Sequence, residues 1–231
     1  MTSQLQSCLN ELDNILNSLM SSNFYFQFSL IYDPIVTDKE FKSLKPSLNT
    51  LDPLIDILFE SMVIQLYKLF EVQPFLAKCL KDSGKIDLLR ILKDSWSRIE
   101  RGRDKIIFWR NKFISHSRDQ SLNYVSYHIL DSKYNETRKI IVSSSRYAVT
   151  YIWAVLSNIH SEYMGATLIK EEEKNSMIKL DGTEILTKAI LDEKYFWKDV
   201  NEQLKKKGYR PVAFCGYEEW PMKMVGDISS I

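Results

Sequence analysis

Apolar side chains recur at steps of three and four residues through most of this chain, and this spacing constrains the fold more than any other feature. Such steps place side chains on one face of an α-helix, so each segment with the pattern predicts a helix with one side in a core. The first stripe consists of Leu5, Leu9, Leu12, Leu16 and Leu19. Only six Pro and seven Gly occur among 231 residues, which leaves few tight turns for β-hairpins. The sequence therefore predicts an all-α fold.

The ends of the predicted helices follow from capping residues and prolines. Asp52 is a favourable N-cap, and Pro53 suits the first helical position, where a missing N–H leaves no bond unmade. Pro74 is expected to end that helix. The predicted helices cover residues 5–19, 53–70, 75–81, 85–115, 140–163 and 183–204. The other segments are predicted as a loop with one short helical piece (21–50), an irregular connection (118–138) and a short strand (212–214).

A change in composition near Gly165 predicts two parts. Residues 1–165 carry the helical pattern and are expected to form one helical domain, a bundle. A charged run at 171–174 follows, and residues 166–231 are expected to be a mostly helical C-terminal extension. Removing the chain after Tyr163 should therefore leave a folded domain.

Charge, cysteine content and hydropathy narrow the class of protein. The formal net charge is +1, so a polyanion would have to meet a local cluster of cations, not a basic surface overall. Cys8, Cys79 and Cys215 lie far apart with no CxxC pairing, which favours reduced thiols over a disulfide or zinc framework. The N-terminus has no signal-peptide order, and the longest apolar run, at 148–156, is shorter than the about 20 residues that span a bilayer. A cytoplasmic protein without membrane contact is expected.

One arginine in the predicted helix 85–115 stands where the pattern favours an apolar residue. Ile106 and Phe113 continue the stripe, and Arg110 falls between them, in the middle of the apolar sector at about 100° per residue. Arginine is rarely buried without a partner. Two interpretations stay open. The guanidinium leaves the core to pair with an acid, or it lines a cleft where its planar fork binds a phosphate.

A histidine, His116, follows near the end of the same predicted helix. An imidazole takes and gives a proton near neutral pH, and an arginine beside it stabilises negative charge on phosphate oxygens. This pair suffices for RNA cleavage by the ribose 2′-OH without a metal, and Asn111 is a candidate to hold the hydroxyl or the imidazole. On one ideal helix Arg110 and His116 diverge by about 120°. They converge only if the helix ends near His116 or a second subunit completes the site.

Residues 108–119 read Phe-Trp-Arg-Asn-Lys-Phe-Ile-Ser-His-Ser-Arg-Asp, and they resemble the active-site helix of the HEPN superfamily. Members of that family are small helical domains, and many are ribonuclease toxins of toxin–antitoxin, abortive-infection and CRISPR systems. The family pattern is an arginine, a polar residue, a few further positions and a histidine, which Arg110, Asn111 and His116 match. The resemblance covers residues 1–165 and is closest to an abortive-infection branch.

The resemblance implies a HEPN-like bundle in which Arg110 and His116 are catalytic and Asn111 supports them. The implied activity is a metal-independent endoribonuclease that needs no cofactor. The resemblance also implies a homodimer whose two motif helices line one RNA cleft, with a cognate antitoxin as a possible further partner. Toxins of this family that are silenced by nucleotide transfer carry a tyrosine two residues after the histidine. Here that position holds Arg118, which argues against such control.

Other interpretations stay open beside this one. The chain is alternatively an inert protein of the same fold that binds RNA or protein, or a helical scaffold in which Arg110 and His116 are satisfied separately. His128 and His160 have no carboxylate or cysteine at metal-ligand spacing, which favours core or surface histidines over a metal site. The tyrosines and cations at 124–139 fit a solvated loop, or a surface on which bases stack.

Overall fold

The structure, a computed structural model, describes residues 3–36, 51–115, 127–129, 131–160 and 196–212, and most of these residues are helical. The helices are α1 (Ser3–Val36), α2 (Leu51–Asp82), α3 (Ile86–Ile91), α4 (Lys93–Glu100), α5 (Arg103–Trp109), α6 (Asn135–Ile159) and α7 (196–206). A π-helical turn at Arg110–Ser115 extends α5, and a 3₁₀ turn at Ser132–Tyr134 leads into α6. These ranges contain no strand, and the predicted all-α class is confirmed.

Helices α1 and α2 pack along each other as an antiparallel pair. Later positions of α1 meet earlier positions of α2: Ser22 Oγ lies 2.7 Å from Ser61 Oγ, and the rings of Phe26 and Phe59 are 6.2 Å apart. All five leucines of the predicted α1 stripe are buried, so the periodicity identified the packed face correctly. The exclusion of these side chains from water is the main term that stabilises the pair.

Two thiols lie close together near the start of α1 and the end of α2, as the antiparallel packing of these helices requires. Cys8 and Cys79 are free thiols and half-buried, while Cys215 lies outside the described residues. Burial, and then contact with Cys79, raises the pKa of the Cys8 thiol above its ordinary value of 9.0. The Cys8 thiol therefore stays protonated at neutral pH.

Both long helices extend beyond their predicted ends. Helix α1 continues to Val36, so the loop predicted from residue 21 onwards is wrong as far as that residue. Helix α2 passes through Pro74, where an end was predicted. A proline inside a helix removes one backbone hydrogen bond. The packed face offsets this loss, because Leu69 before the proline and Leu76 after it are both fully buried.

The segment predicted as one helix over 85–115 is divided into shorter helices. Breaks occur at Leu92, between α3 and α4, and at Arg101–Gly102, between α4 and α5. The second break falls at Gly102, a residue type that weakens a helix interior. The buried face nevertheless continues from Ile99 through Ile106 to Phe113, as the stripe predicted.

Helix α6 begins at Asn135, five residues before its predicted start at 140. Residues 132–159 are long and apolar enough to cross a membrane by length and composition alone, but 78% of the apolar window is buried within the structure. Such burial is typical of a core helix, so this helix is not an argument for a membrane span.

The chain divides into two compact units, Met1–Ile152 and Trp153–Ile231. The predicted boundary at residue 165 and the predicted cap at Thr183 lie outside the described residues. In the second unit Gly208 adopts a φ of 75°, and the Tyr209 N–H donates to the Leu204 carbonyl at 2.8 Å. This left-handed glycine ends α7 where the sequence predicted. The predicted apolar positions of α7 are buried, namely Trp197, Val200 and Leu204.

Two asparagines hold the segment that follows α7. The side-chain amide of Asn201 donates to the Val212 carbonyl at 3.2 Å and accepts from the Val212 N–H at 2.7 Å. Asn158 makes the same two-bond contact with the backbone of Arg210. Val212, the first residue of the predicted strand, therefore bonds to a side chain, while residues 213 and 214 lie outside the described residues.

Candidate functional site

The residues next to the predicted catalytic arginine fix the motif helix in the core of the first unit. Trp109 is 1% exposed, and its ring packs against those of Phe59 and Phe113 at 5.3 and 4.4 Å. Tyr127 and Tyr134 contact the same indole edge-on, at 5.2 and 4.8 Å. Both tyrosine rings are therefore engaged in packing. Of the two interpretations of residues 124–139, stacking on RNA bases is not favoured for these two rings.

Arg110 lies at the edge of this apolar cluster. The prediction placed Arg110 in the middle of the apolar sector, but Trp109 occupies that place and Arg110 is half-buried. Its guanidinium lies over the ring of Tyr67 on α2, 4.6 Å from the ring centroid, and Nη1 donates to Asn111 Oδ1 at 3.0 Å. The helix changes to π-type hydrogen bonding at Arg110, directly after the buried Trp109.

The charge on Arg110 is not neutralised by an acid within the described part of the chain. The ion pairs recorded there are Arg103 with Glu100, His128 with Asp56, and Lys133 with Asp131. Of the two interpretations left open by the sequence, pairing with an acid therefore has no support among these residues. A guanidinium held on an aromatic face keeps its charge and several N–H donors directed outward, as anion binding requires.

The structure brings together two members of the predicted catalytic set. Arg110 and Asn111 are in direct contact through a side-chain hydrogen bond. His116 lies outside the described residues, as do Arg118 and Tyr124. The proposed partnership of Arg110 with His116 therefore remains a prediction.

A face of α2, made of Asp56, Glu60 and Tyr67 and called here the α2 face, receives residues that sequence reasoning did not connect. The sequence predicts no carboxylate at metal-ligand spacing from His128, and in the structure its Nδ1 lies 3.1 Å from Asp56 Oδ2 on α2. Asp56 also accepts a hydrogen bond of 2.9 Å from the backbone N–H of Ile129. The 72 positions between Asp56 and His128 in the chain explain why no local pattern revealed this pair.

Tyr127 makes a second contact with the α2 face. Its hydroxyl donates to Glu60 Oε1, four residues along α2 from Asp56 and thus one turn away. Burial, and then the hydrogen bond to the Glu60 carboxylate, raises the pKa of Tyr127 well above its ordinary value of 10.0. Tyr127 therefore remains a neutral hydrogen-bond donor throughout the physiological range.

The spacing along α2 separates Asp56 and Glu60 from the Arg110 guanidinium. Tyr67 lies seven residues beyond Glu60, which is about 10 Å along the helix axis at 1.5 Å per residue. Asp56 is a further turn away. The His128–Asp56 pair and the Arg110 guanidinium are thus too far apart to act on one phosphate. We interpret the contacts of Asp56 and Glu60 as anchors that fix residues 127–129 against α2.

Comparisons with protein-family models, with curated proteins and with solved structures find no match to this chain. Among the described residues, no group of three or more His, Cys, Asp and Glu side chains is arranged to hold a metal ion. The features that bear on function are therefore the geometry around Arg110 and the motif in which this residue lies.

Proposed function

We propose that this protein is a metal-independent endoribonuclease of the HEPN type, a toxin or defence effector, with its site at Arg110, Asn111 and His116. The observation that carries the proposal is the setting of Arg110: its guanidinium rests on Tyr67, contacts Asn111 and has no acidic partner among the described residues. The π-helical turn at this point adds support, because such turns occur frequently at functional sites. The resemblance of residues 108–119 to the HEPN motif supplies the reaction class.

The proposed reaction is an internal attack within RNA. His116 accepts the proton of a ribose 2′-OH, and the freed oxygen forms a bond to the adjacent phosphorus while the bond to the 5′-oxygen breaks. The products are a 2′,3′-cyclic phosphate and a 5′-hydroxyl end, which takes up a proton. Arg110 stabilises the charge that develops on the phosphoryl oxygens, and Asn111 positions the guanidinium through its Oδ1.

A homodimer is part of the proposal. Arg110 lies at the border between the buried cluster and solvent, and the sequence predicts that Arg110 and His116 would diverge on one ideal helix, so a second copy is expected to complete the RNA cleft. Light scattering of the full chain at micromolar concentration should give a mass of about twice 27.1 kDa. A monomer that cleaves RNA at full rate would contradict this part of the proposal.

The activity is tested with the full chain, a single-stranded RNA of mixed sequence and EDTA in the buffer. Arg110→Ala and His116→Ala should each lower the cleavage rate by about 10²–10⁴-fold, and Asn111→Ala by less. The matched control is Arg90→Ala, which removes an exposed arginine from α3 and should cleave at the wild-type rate. Activity that is lost in EDTA, or that survives His116→Ala unchanged, would contradict the mechanism.

The rival function is an inert module of the same fold that binds RNA or protein. The exposed ring of Phe108, 52% accessible with Lys112 Nζ 5.5 Å from its centroid, favours this rival, because such a pair can stack a base and contact a phosphate without any reaction. RNA binding that is lost in Phe108→Ala, from a protein that never cleaves, would establish the rival. Cleavage that depends on Arg110 and His116 would exclude it.

A further inference from the structure

A cleft of about 450 Å³ lies in the first unit, between the end of α4 and the first half of α6, and no part of the proposed ribonuclease site lines it. Helix α4 and the turn after it contribute Arg98, Arg101 and Gly102, and the facing side chains of α6 include Lys139, Ser144 and Tyr147. The lining positions are 98, 101 and 102 on one side and 139, 140, 143, 144 and 147 on the other, and these steps of one and three keep each set on one helical face. Residues some 40 positions apart in the chain thus meet in one depression.

A close approach of Gly102 to side chains of α6 builds the floor of this cleft. A Cβ atom at Gly102 would lie 2.6 Å from Ser144 Oγ and 3.1 Å from the Ile140 side chain. No ordinary side chain fits this space, so glycine allows the turn to rest directly on α6. As a consequence, the cationic side chains of α4, of the turn after it and of α6 line the same opening.

Three cationic side chains line the cleft, and none of the described residues that line it carries a carboxylate. Arg98 is fixed by its neighbour: Nη1 donates to the Tyr147 hydroxyl at 2.6 Å, and the guanidinium carbon lies 5.1 Å from the ring centroid. Arg101 and Lys139 are exposed, and neither has an ion-pair partner within the ranges that the structure describes. The acid next to Arg101 in the sequence, Glu100, is bound to Arg103 at 2.6 Å and does not line the cleft.

We propose that this cleft is a binding site for the phosphate group of a small molecule of nucleotide size. A phosphate monoester carries close to two negative charges and three acceptor oxygens, which suits cations that converge from two helices. Ser143 and Ser144 supply hydroxyl donors at the same opening. The volume falls within the range of small-molecule sites, about 300–1,000 Å³, and exceeds the need of a lone inorganic ion.

Ring stacking is not expected to supply the affinity. Arg98 already covers the face of Tyr147, and the tyrosine is only 7% exposed. The phosphate should therefore dominate recognition, and the remainder of the ligand should contribute less. The proposal concerns residues distinct from Arg110, Asn111 and His116 and does not rest on the proposed ribonuclease function.

Calorimetric titration of the full chain at low salt tests the site, with AMP, adenosine and inorganic phosphate as probes. AMP should bind at least about tenfold more tightly than adenosine, because hydrogen bonds between charged groups are the main contacts. The double variant Arg101→Gln/Lys139→Gln should weaken AMP binding by at least about tenfold. The control Arg90→Gln/Lys105→Gln removes the same charge from exposed positions outside the cleft and should bind AMP like the wild type.

Each other outcome decides against the assignment. Equal weakening in both double variants would show that net charge alone attracts AMP, and equal affinity for AMP and adenosine would show that the phosphate is not recognised. Binding of a 5′-phosphorylated RNA but not of AMP would overturn the assignment to a small molecule. If the cleft variant loses helical circular dichroism, Lys139→Arg and Lys139→Gln replace it, and the proposal then requires tight binding in the first and weak binding in the second.

Discussion

Two surfaces of the first unit differ in how their charge is arranged. On the α2 face the acids are already engaged, Asp56 by His128 and Glu60 by Tyr127, and the Arg110 guanidinium rests on the ring of Tyr67. In the cleft between α4 and α6 three cations converge, and no acid is among the described residues that line the opening. The first surface positions one guanidinium with precision, whereas the second concentrates positive charge.

The two sites also differ in how each can be recognised. Arg110 and Asn111 are neighbours in the chain, so a sequence motif is enough to find them. The cleft depends on Arg101 and Lys139, which lie 38 positions apart and come together because Gly102 meets Ser144. A near-neutral chain, with a net charge of +1, thus contains a local cluster of cations that its composition conceals.

Among the variants that test this difference between the two surfaces, a substitution at Gly102 is expected to have the largest effect. Alanine is normally favourable at a helical φ of −85°, but here its Cβ would clash with Ser144 Oγ at 2.6 Å. Gly102→Ala should lower the free energy of unfolding by about 1–3 kcal/mol and weaken AMP binding, as urea denaturation and calorimetry would measure. Adding Ser144→Ala should restore part of the stability. Unchanged stability in Gly102→Ala would mean that the close approach does not hold the cleft together.

A smaller effect is expected on the α2 face, where the free energy of unfolding should depend on pH in the alkaline range. The pKa of Tyr127 is raised in the folded protein, so above pH 10.0, the ordinary tyrosine value, the unfolded chain ionises first and stability falls as the pH rises. Tyr127→Phe should flatten this fall between about pH 10 and 11 by at most about 1 kcal/mol, since Tyr127 is partly exposed.

Denaturation at a series of pH values measures this slope. Burial raises the pKa of Tyr151 to about 12, so Tyr151 should keep part of the slope in both proteins. If Tyr127→Phe shows the wild-type pH dependence, the contact of Tyr127 with Glu60 does not stabilise the α2 face in solution.

The smallest effect concerns the ring beneath Arg110. A cation over an aromatic face at a partly exposed site contributes about 0.5–1 kcal/mol, so Tyr67→Leu should lower the rate of RNA cleavage about two- to fivefold. Tyr67→Phe keeps the ring and should retain the rate. Phosphate binding in the cleft should be unchanged in both variants, as calorimetry would measure. Equal loss of cleavage in both would show that the hydroxyl matters and not the ring.

Several elements were predictable because their signal is local. The leucine stripe of α1, the break at Gly102 and the end of α7 at Gly208 all follow from spacing or backbone preference within a few residues. The helix end predicted from a single proline was wrong. Pro74 does not end α2, because burial on both sides of the proline outweighs the loss of one hydrogen bond.

The candidate site shows the same division. The motif around Arg110 was visible in the sequence, but its exact placement was not, because positions 109 and 110 both continue the stripe from Ile106 and only the packing selects which of them is buried. Trp109 is the residue buried in the core, and Arg110 lies at the edge of the aromatic cluster around it. The role of His116 stays a prediction from the motif.

By itself the sequence determined the helical class, the buried face of each stripe and the identity of the motif residues, since each depends on neighbours within one or two turns. Only the tertiary structure decided which distant side chains meet: His128 with Asp56, and Arg101 with Lys139 across the α4–α6 cleft. The physical reason is that such pairs are selected by the packing of whole helices. Their positions along the chain contain no periodic signal that would link them.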